Sequence, residues 1–248
     1  MNIVITGAAG VLGRALTQTF SGEHAVSPTD IRMAPGSRMI VRADVLDDAP
    51  MSELCADVEV VIHLAQFTRQ PHLPDTENAT LILDTRLKGT YNVLAATAKA
   101  GVRRIIHISD LCIFDGYPNG IVVSEDFAPQ PDTSAYQQSV YLSDWVAREF
   151  ARQYPGMIVT LRIGNLVDQG TLSPDTPADE RGLDFRDAVT AIKKAMQLES
   201  FDGLAHWGLY HLAADRPESR YSLRKITSGQ FGFRPVFNFA AWPKGGTA

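Results

Sequence analysis

The chain has 248 residues, 45% hydrophobic and 21% charged, with a formal net charge of −5. That is the composition of a globular α/β domain with room for an appended lobe, and no lysine- or arginine-rich block suggests a nucleic-acid surface. Cys55 and Cys112 make no disulfide framework, no stretch nears ~18 uninterrupted apolar residues, and the first strand lacks a signal peptide's basic flank, so a reducing, cytoplasmic location away from membranes is expected.

In chain order, an apolar strand, Asn2–Thr6, runs through Gly7-Ala8-Ala9-Gly10-Val11-Leu12-Gly13 into a helix, Leu12–Phe20. Strand, glycine turn and helix are what a dinucleotide needs. Gly7 permits a tight turn, Gly10 lets backbone amides approach a pyrophosphate, and Gly13 lets the helix pack on the strand, with Ala9, Val11 and Leu12 bordering the same site. A short strand, Ala25–Ser27, leads to Asp30, 17 residues beyond Gly13, where a carboxylate would accept hydrogen bonds from the adenosine ribose. That favours NAD over NADP, although Arg32, two residues on, is suited to a 2′-phosphate, and Asp30 beside Pro28 also reads as a turn residue.

Strand patterns continue at Met39–Arg42, Val58–Leu64, Arg104–Ser109, Ile158–Ile163 and Gly208–His211. Helical patterns lie at Met51–Ala56, Leu81–Ala100, Tyr136–Gln153 and Asp187–Gln197. The runs Val60-Val61-Ile62 and Ile105-Ile106 are continuous, as in strands buried on both faces. The alternation predicts a Rossmann-type, doubly wound parallel sheet: residues 1–165 as the NAD(P)-binding domain, and 166–248 as a small C-terminal substrate lobe that contributes back to the sheet. In the long helix Ala95, Ala96, Ala98 and Ala100 give a narrow face, and Gly101 is a C-terminal stop. The irregular stretch Asp168–Arg181 reads as the substrate loop. Phe233, Phe237, Phe239 and Trp242 give an aromatic tail expected to pack across the lobe before a polar end frays. His63 and His107 end apolar strands and read as packed residues, Cys112 has no basic neighbour to activate it, and no His/Cys/Asp cluster has metal-ligand spacing.

Several stretches together resemble the extended short-chain dehydrogenase/reductase family, its NAD-dependent epimerase/dehydratase branch and uronate-dehydrogenase-like members in particular. They are the Thr6–Gly13 turn, Ala43-Asp44-Val45, Val61-Ile62-His63-Leu64-Ala65, Lys88-Gly89-Thr90-Tyr91-Asn92-Val93-Leu94, Leu161-Arg162-Ile163-Gly164-Asn165, Tyr221-Ser222-Leu223-Arg224 and Gly232-Phe233-Arg234-Pro235. The resemblance implies that Asp44 and Val45 lie against adenine, that Leu64 and Ala65 touch the cofactor, and that Asn165 reaches the nicotinamide amide. It also implies a catalytic Ser, and a Tyr with Lys four residues later. Aligned by Glu125-Asp126, Pro129 and Pro131, Tyr136 is the family tyrosine, but Val140 stands at the lysine position. Asp110 stands at the serine position with Ser109 before it, and Arg86 stands where the family has Asn. Asp187 matches a position that caps and orients the following helix.

These departures change the chemistry. A lysine charge ~5 Å from a phenol, at an effective dielectric of 20, favours phenolate by about 3 kcal/mol. Val140 supplies none of this, and a carboxylate at position 110 opposes ionisation, so Tyr136 would be a poor base. Tyr136 could still donate a proton, and Asp110 could act as base or cap the next turn, with Ser109 beside it. Arg86 would either neutralise Asp110 or lie in solvent. The resemblance implies an NAD(P)-dependent oxidoreductase acting on a hydroxyl or carbonyl of a sugar, sugar acid or similar molecule, possible as a homodimer. The alternative is a dinucleotide-binding sensor or partner subunit that has lost catalysis.

Overall fold

The computed structural model describes residues 1–33, 39–173, 179–201, 206–217 and 219–239. Its main sheet uses β1 (Asn2–Thr6), β2 (Ala25–Asp30), β3 (Val41–Arg42), β4 (Val60–His63), β5 (Arg104–Asp110), β6 (Met157–Ile163) and, late in the chain, β9 (Trp207–Leu212). The order is β3-β2-β1-β4-β5-β6-β9, and every pairing is parallel. The chain starts in the middle, winds outward to β3, then crosses back past β1 to wind the other way. This doubly wound plan puts the β1/β4 switch point at the carboxyl edge, where ligands bind.

Strand alternation assigns the helices to faces. Ile3 and Ile5 of β1, Ile62 of β4 and Val159 and Leu161 of β6 point to one side, where α1 (Val11–Phe20) and α6 (Phe185–Ala195) cover them. Leu12, Leu16 and Phe20 recur at four-residue spacing and form the buried stripe of α1. Each contributes about 1.5–3 kcal/mol by leaving water. On the other side Val4 and Val61 meet α2 (Asp48–Leu54) and α4 (Gly89–Ala100), while Ile105 and Ile158 meet α4 and α5 (Ala135–Gln153).

Several boundaries differ from the sequence reading. The long helix starts earlier, as α3 (Asp75–Leu83), and is interrupted by a π-helical turn, Asp84–Lys88, before α4. Gly89 then brings α4 close to Val45, because a Cβ there would lie 2.6 Å from Val45 Cγ2. Gly101 adopts φ 70° and ends the helix as expected, but Ala100 is exposed; Val93, Leu94, Ala96 and Thr97 carry the buried face. Two strands were missed: β7 (Asn165–Val167) pairs in parallel with β8 (Gly182–Asp184), closing the base of the presumed substrate loop. Both are short and carry no alternation. Residues 174–178 of that loop lie outside the described residues.

At α6 the cap is Asp184, which accepts from Arg186 N. Asp187 lies inside the first turn and accepts from Val236 N and Phe237 N at 3.0 and 2.9 Å. It therefore pins the C-terminal segment rather than capping the helix. Phe231, Phe233 and Phe239 are buried there and Arg186 lies 3.9 Å over the Phe237 ring; Trp242 is outside the described residues. A last short helix, α7 (Arg224–Thr227), packs on β9. Among the described residues no helix is long and apolar enough to cross a membrane.

Candidate active site

The glycine turn is set mainly by what a side chain would strike. Gly7 has φ 72°, and a Cβ on it would sit 2.9 Å from Ala65 N; one on Gly13 would sit 2.5 Å from Gly7 O and 2.6 Å from Ala8 Cα. These two glycines let the strand, turn and helix touch. Gly10 differs: its Cβ would meet only Gly7 O, at 3.3 Å. Protein packing constrains this position less than Gly7 or Gly13, and its open side is where an anion could approach the turn's amides. The first turn of α1 has no acidic residue and no side-chain cap, so its amides face the cleft with the positive end of the helix dipole behind them.

Asp30, at the end of β2 and 6% exposed, steadies this turn. Its Oδ2 accepts from Ala9 N at 2.9 Å, and its Oδ1 accepts from Arg32 N at 2.9 Å. Arg32 Nε is 3.5 Å from the same Oδ1. Asp30 lines a cavity of about 150 Å³ with Asp44, Val45 and Ala65. It adjoins a cleft of about 520 Å³ bordered by Gly7, Ala9, Gly10, Val11, Leu12, Gly13, Leu64, Tyr136 and Asn165. Gly7, Arg32, Gln66 and Thr68 belong to both. Every position expected from the sequence to meet the cofactor thus borders one of these two adjoining spaces, which together form one trough. Arg14, Gln66, Thr68, Ile163 and Leu166, also on its walls, were not anticipated.

At the far end of the cleft, Tyr136 opens α5 and Asp110 closes β5. The Tyr136 hydroxyl donates to Asp110 Oδ2 at 2.7 Å. Asp110 Oδ1 accepts from Cys112 N at 2.7 Å, so the same carboxylate caps the turn Leu111–Phe114. Asp110 therefore caps this turn and accepts from Tyr136 with its two oxygens at once. Arg86 is 5% exposed and not in solvent: the π-helical turn carries its guanidinium to 5.7 Å from the Tyr136 ring centroid. It donates to Gln66 Oε1 at 2.5 Å and to the Ile108 carbonyl at 3.3 Å. Burial pushes the Tyr136 phenol well above its ordinary range; Arg86 opposes this and Asp110 adds to it. The phenol therefore stays protonated near neutral pH. Asn165 is engaged too, donating to Asp179 Oδ2 at 2.6 Å.

The other candidates separate cleanly. Ser109 borders the cleft, but strand alternation turns its side chain to the opposite face from Asp110, under α5. Its buried hydroxyl faces Asp144 and helps hold that carboxyl down, on the other side of the strand from the Asp110 carboxylate. Asp144 lies on that buried side, 2.8 Å from Arg162 and 3.5 Å from His107. Burial pushes its carboxyl up, but Arg162 and His107 more than reverse this and hold it at about 2. His63 bridges the Thr6 and Thr90 hydroxyls and stacks on His107 at 5.8 Å; burial pushes it well below the ordinary range, so it is a neutral packed residue. Burial pushes the Cys112 thiol up, leaving it unreactive. Val140 is fully buried in an apolar cluster with Leu111, Ile113, Phe114 and Tyr221. The surroundings of this position are as apolar as the residue.

A model of the NAD dependent epimerase/dehydratase family matches residues 3–201. The 3-diazoavenalumate denitrifying reductase of a Streptomyces species is 30% identical over 249 residues, covering 88% of this chain and 77% of that protein. The uronate dehydrogenase of Pseudomonas putida is 27% identical over 172 residues, covering 67% and 62%. Among solved structures, a short-chain dehydrogenase/reductase superfamily protein from Agrobacterium tumefaciens with bound NAD superposes with a TM-score of 0.82 at 19% identity, covering 97% of this chain and 94% of that one. The trough, its glycine turn and the buried acid at its adenosine end fit the family's cofactor, NAD. The chain belongs to the NAD-dependent epimerase/dehydratase family and is an oxidoreductase of that family.

Proposed function

We propose that this enzyme interconverts a hydroxyl and a carbonyl group on a small polyhydroxylated molecule, a sugar, sugar acid or similar, and that Tyr136 with Asp110 moves the proton. The observation that carries this reading is the 2.7 Å hydrogen bond from Tyr136 to Asp110 at the closed end of the cofactor trough. The P. putida relative, named for a uronate, supports the substrate class.

When bound, NAD supplies the hydride acceptor, or as NADH the donor. The chain does the rest. The turn Gly7–Gly13 receives the pyrophosphate, Asp30 the adenosine ribose, Asp44, Val45, Leu64 and Ala65 the adenine side, and Asn165 the nicotinamide amide. In the oxidising direction Tyr136 Oη takes the proton of the substrate hydroxyl while passing its own to Asp110 Oδ2. The phenol never has to become a free phenolate, which suits a group that burial keeps protonated. The substrate lobe is drawn from the described residues after 165, apart from α6 and β9, which belong to the main sheet and its cover, with Asp179 and Arg181 bringing its loop to the mouth of the cleft. The same reading makes the enzyme a homodimer through the exposed Tyr91, Leu142 and Trp145 of α4 and α5, to be checked by light scattering.

The test is a turnover screen with NAD and NADH against aldoses, uronates and their oxidised forms, with 3-diazoavenalumate as a further acceptor. Turnover of a sugar-type substrate that falls by at least ~100-fold in Tyr136→Phe, at unchanged NAD affinity, is expected. Reduction of the diazo compound with no sugar-type turnover would overturn the substrate class. No turnover of any compound would overturn the proton-transfer reading.

A further inference from the structure

The pair at the end of the cleft brings a carboxylate into a half-buried place, and the guanidinium of Arg86 lies 5.7 Å from the ring of the phenol bonded to it. Arg86 is 5% exposed, yet the oxygens it binds are neutral: the Gln66 amide and the Ile108 carbonyl. Its Nε is buried without a partner. A guanidinium stays charged at any working pH, so this position holds a permanent positive charge. Its placement depends on a local departure from the α-helix. The turn Asp84–Lys88 is π-helical, a form that is rare and recurs at functional sites. Thr90 fixes that turn by donating its hydroxyl to the Arg86 carbonyl.

We propose that Arg86 is the positioning cation of the Asp110–Tyr136 pair, holding the carboxylate and the phenol in the arrangement and charge state that let a proton pass between them. This rests on the proton-transfer reading above and deepens it. Groups facing Tyr136 are Arg86 from the π-helical turn, Asp110 from β5 and Cys112 from the turn after it, while Arg181, before β8, acts on Asp110 from the mouth of the cleft. Arg86 alone among those acting on the phenol favours its ionised form, working against both burial and Asp110. An opposite charge at 4–6 Å moves such an equilibrium by about 1–3 pH units.

The test needs no substrate. Tyr136 is replaced by 3,5-difluorotyrosine, whose phenol ionises in an accessible range, and its single fluorine signal is followed by NMR against pH. Arg86→Gln, which keeps donors for the Gln66 and Ile108 oxygens but not the charge, should raise the midpoint by about one unit or more. Arg86→Lys should stay within about half a unit of the parent, and Asp110→Asn should move the midpoint the other way. Arg86→Met should match Arg86→Gln; if it fails to fold, the Gln variant carries the test alone. A folded Gln variant with unchanged NAD affinity and a midpoint within ~0.3 unit of the parent would overturn the proposal. A failed turnover screen would remove the proton-transfer reading and leave the charge relation measured here intact.

Discussion

The two ends of the trough are built by different means. At the end with the glycine turn the backbone does most of the work: a Cβ on Gly7 or Gly13 would come within 3 Å of backbone atoms, and Asp30 ties the turn through Ala9 N. At the nicotinamide end side chains do it, and they come from four places: Asp110 from β5, Tyr136 from α5, Arg86 from a π-helical turn and Gln66 from the loop after β4. Backbone geometry tolerates few residue types, so it leaves a readable pattern. A side-chain constellation can be assembled from many elements, as Asp110, Tyr136, Arg86 and Gln66 are here, and leaves no such pattern.

The largest expected effect breaks the glycine-turn end alone. Gly10→Asp places a carboxylate in the phosphate space at a local cost smaller than at Gly7 or Gly13, since its Cβ would lie 3.3 Å from the Gly7 carbonyl oxygen, a tight contact that a shift of a few tenths of an ångström relieves. NAD affinity by calorimetry should fall by on the order of 1000-fold, about 4 kcal/mol, while thermal stability changes little. Gly13→Ala, by contrast, should fail by unfolding rather than by losing affinity.

Next comes the nicotinamide end. Val140→Lys puts an ammonium into the cluster of Leu111, Ile113, Phe114 and Tyr221. It should destabilise the fold by about 3 kcal/mol, seen as a melting point lower by roughly 10 °C, and should not speed catalysis. A stable and faster variant would show that this end accepts a lysine there.

Behind it, the buried Asp144 makes stability depend on acid pH. Its carboxyl sits at about 2 in the folded chain, below its unfolded value, so its contribution is complete above pH ~4 and is lost as pH falls toward 2. That loss is on the order of 2 kcal/mol. Asp144→Asn should be less stable at pH 7 and should flatten this acid limb in denaturant titrations at stepped pH.

The smallest effect concerns the ribose. Asp30 faces the place of a 2′-phosphate, and the Arg32 guanidinium beside it is already directed at that carboxylate. NAD should bind about tenfold more tightly than NADP, about 1.4 kcal/mol. Equal affinities would show that Arg32 turns outward to meet the phosphate.

Legibility followed the same division. β1, β4 and β5 were readable because strands buried on both faces are continuous apolar runs, and the glycine turn because a tight approach excludes other residues. Tyr136 and Asp110 were readable as positions, but not as a hydrogen-bonded pair, because 26 residues separate them and only the fold closes that distance. Arg86 looked equally suited to solvent, since no periodicity announces a π-helical turn. Ser109 and Asp110 are neighbours in the chain, and alternation along β5 sends their side chains to opposite faces, which a one-dimensional spacing does not display. Asp187 was read as a helix cap because its partners, Val236 and Phe237, lie about 50 residues away.

The central claim is that Tyr136 and Asp110 move one proton as a unit. A double-mutant cycle of NAD-dependent turnover over Tyr136→Phe, Asp110→Asn and the double variant tests it most directly. Tyr136→Phe should cost ~100-fold or more, Asp110→Asn a comparable amount, and the double variant no more than the worse single one, because either change cuts the same proton path. Losses that multiply in the double variant, or normal turnover by Tyr136→Phe, would contradict the account.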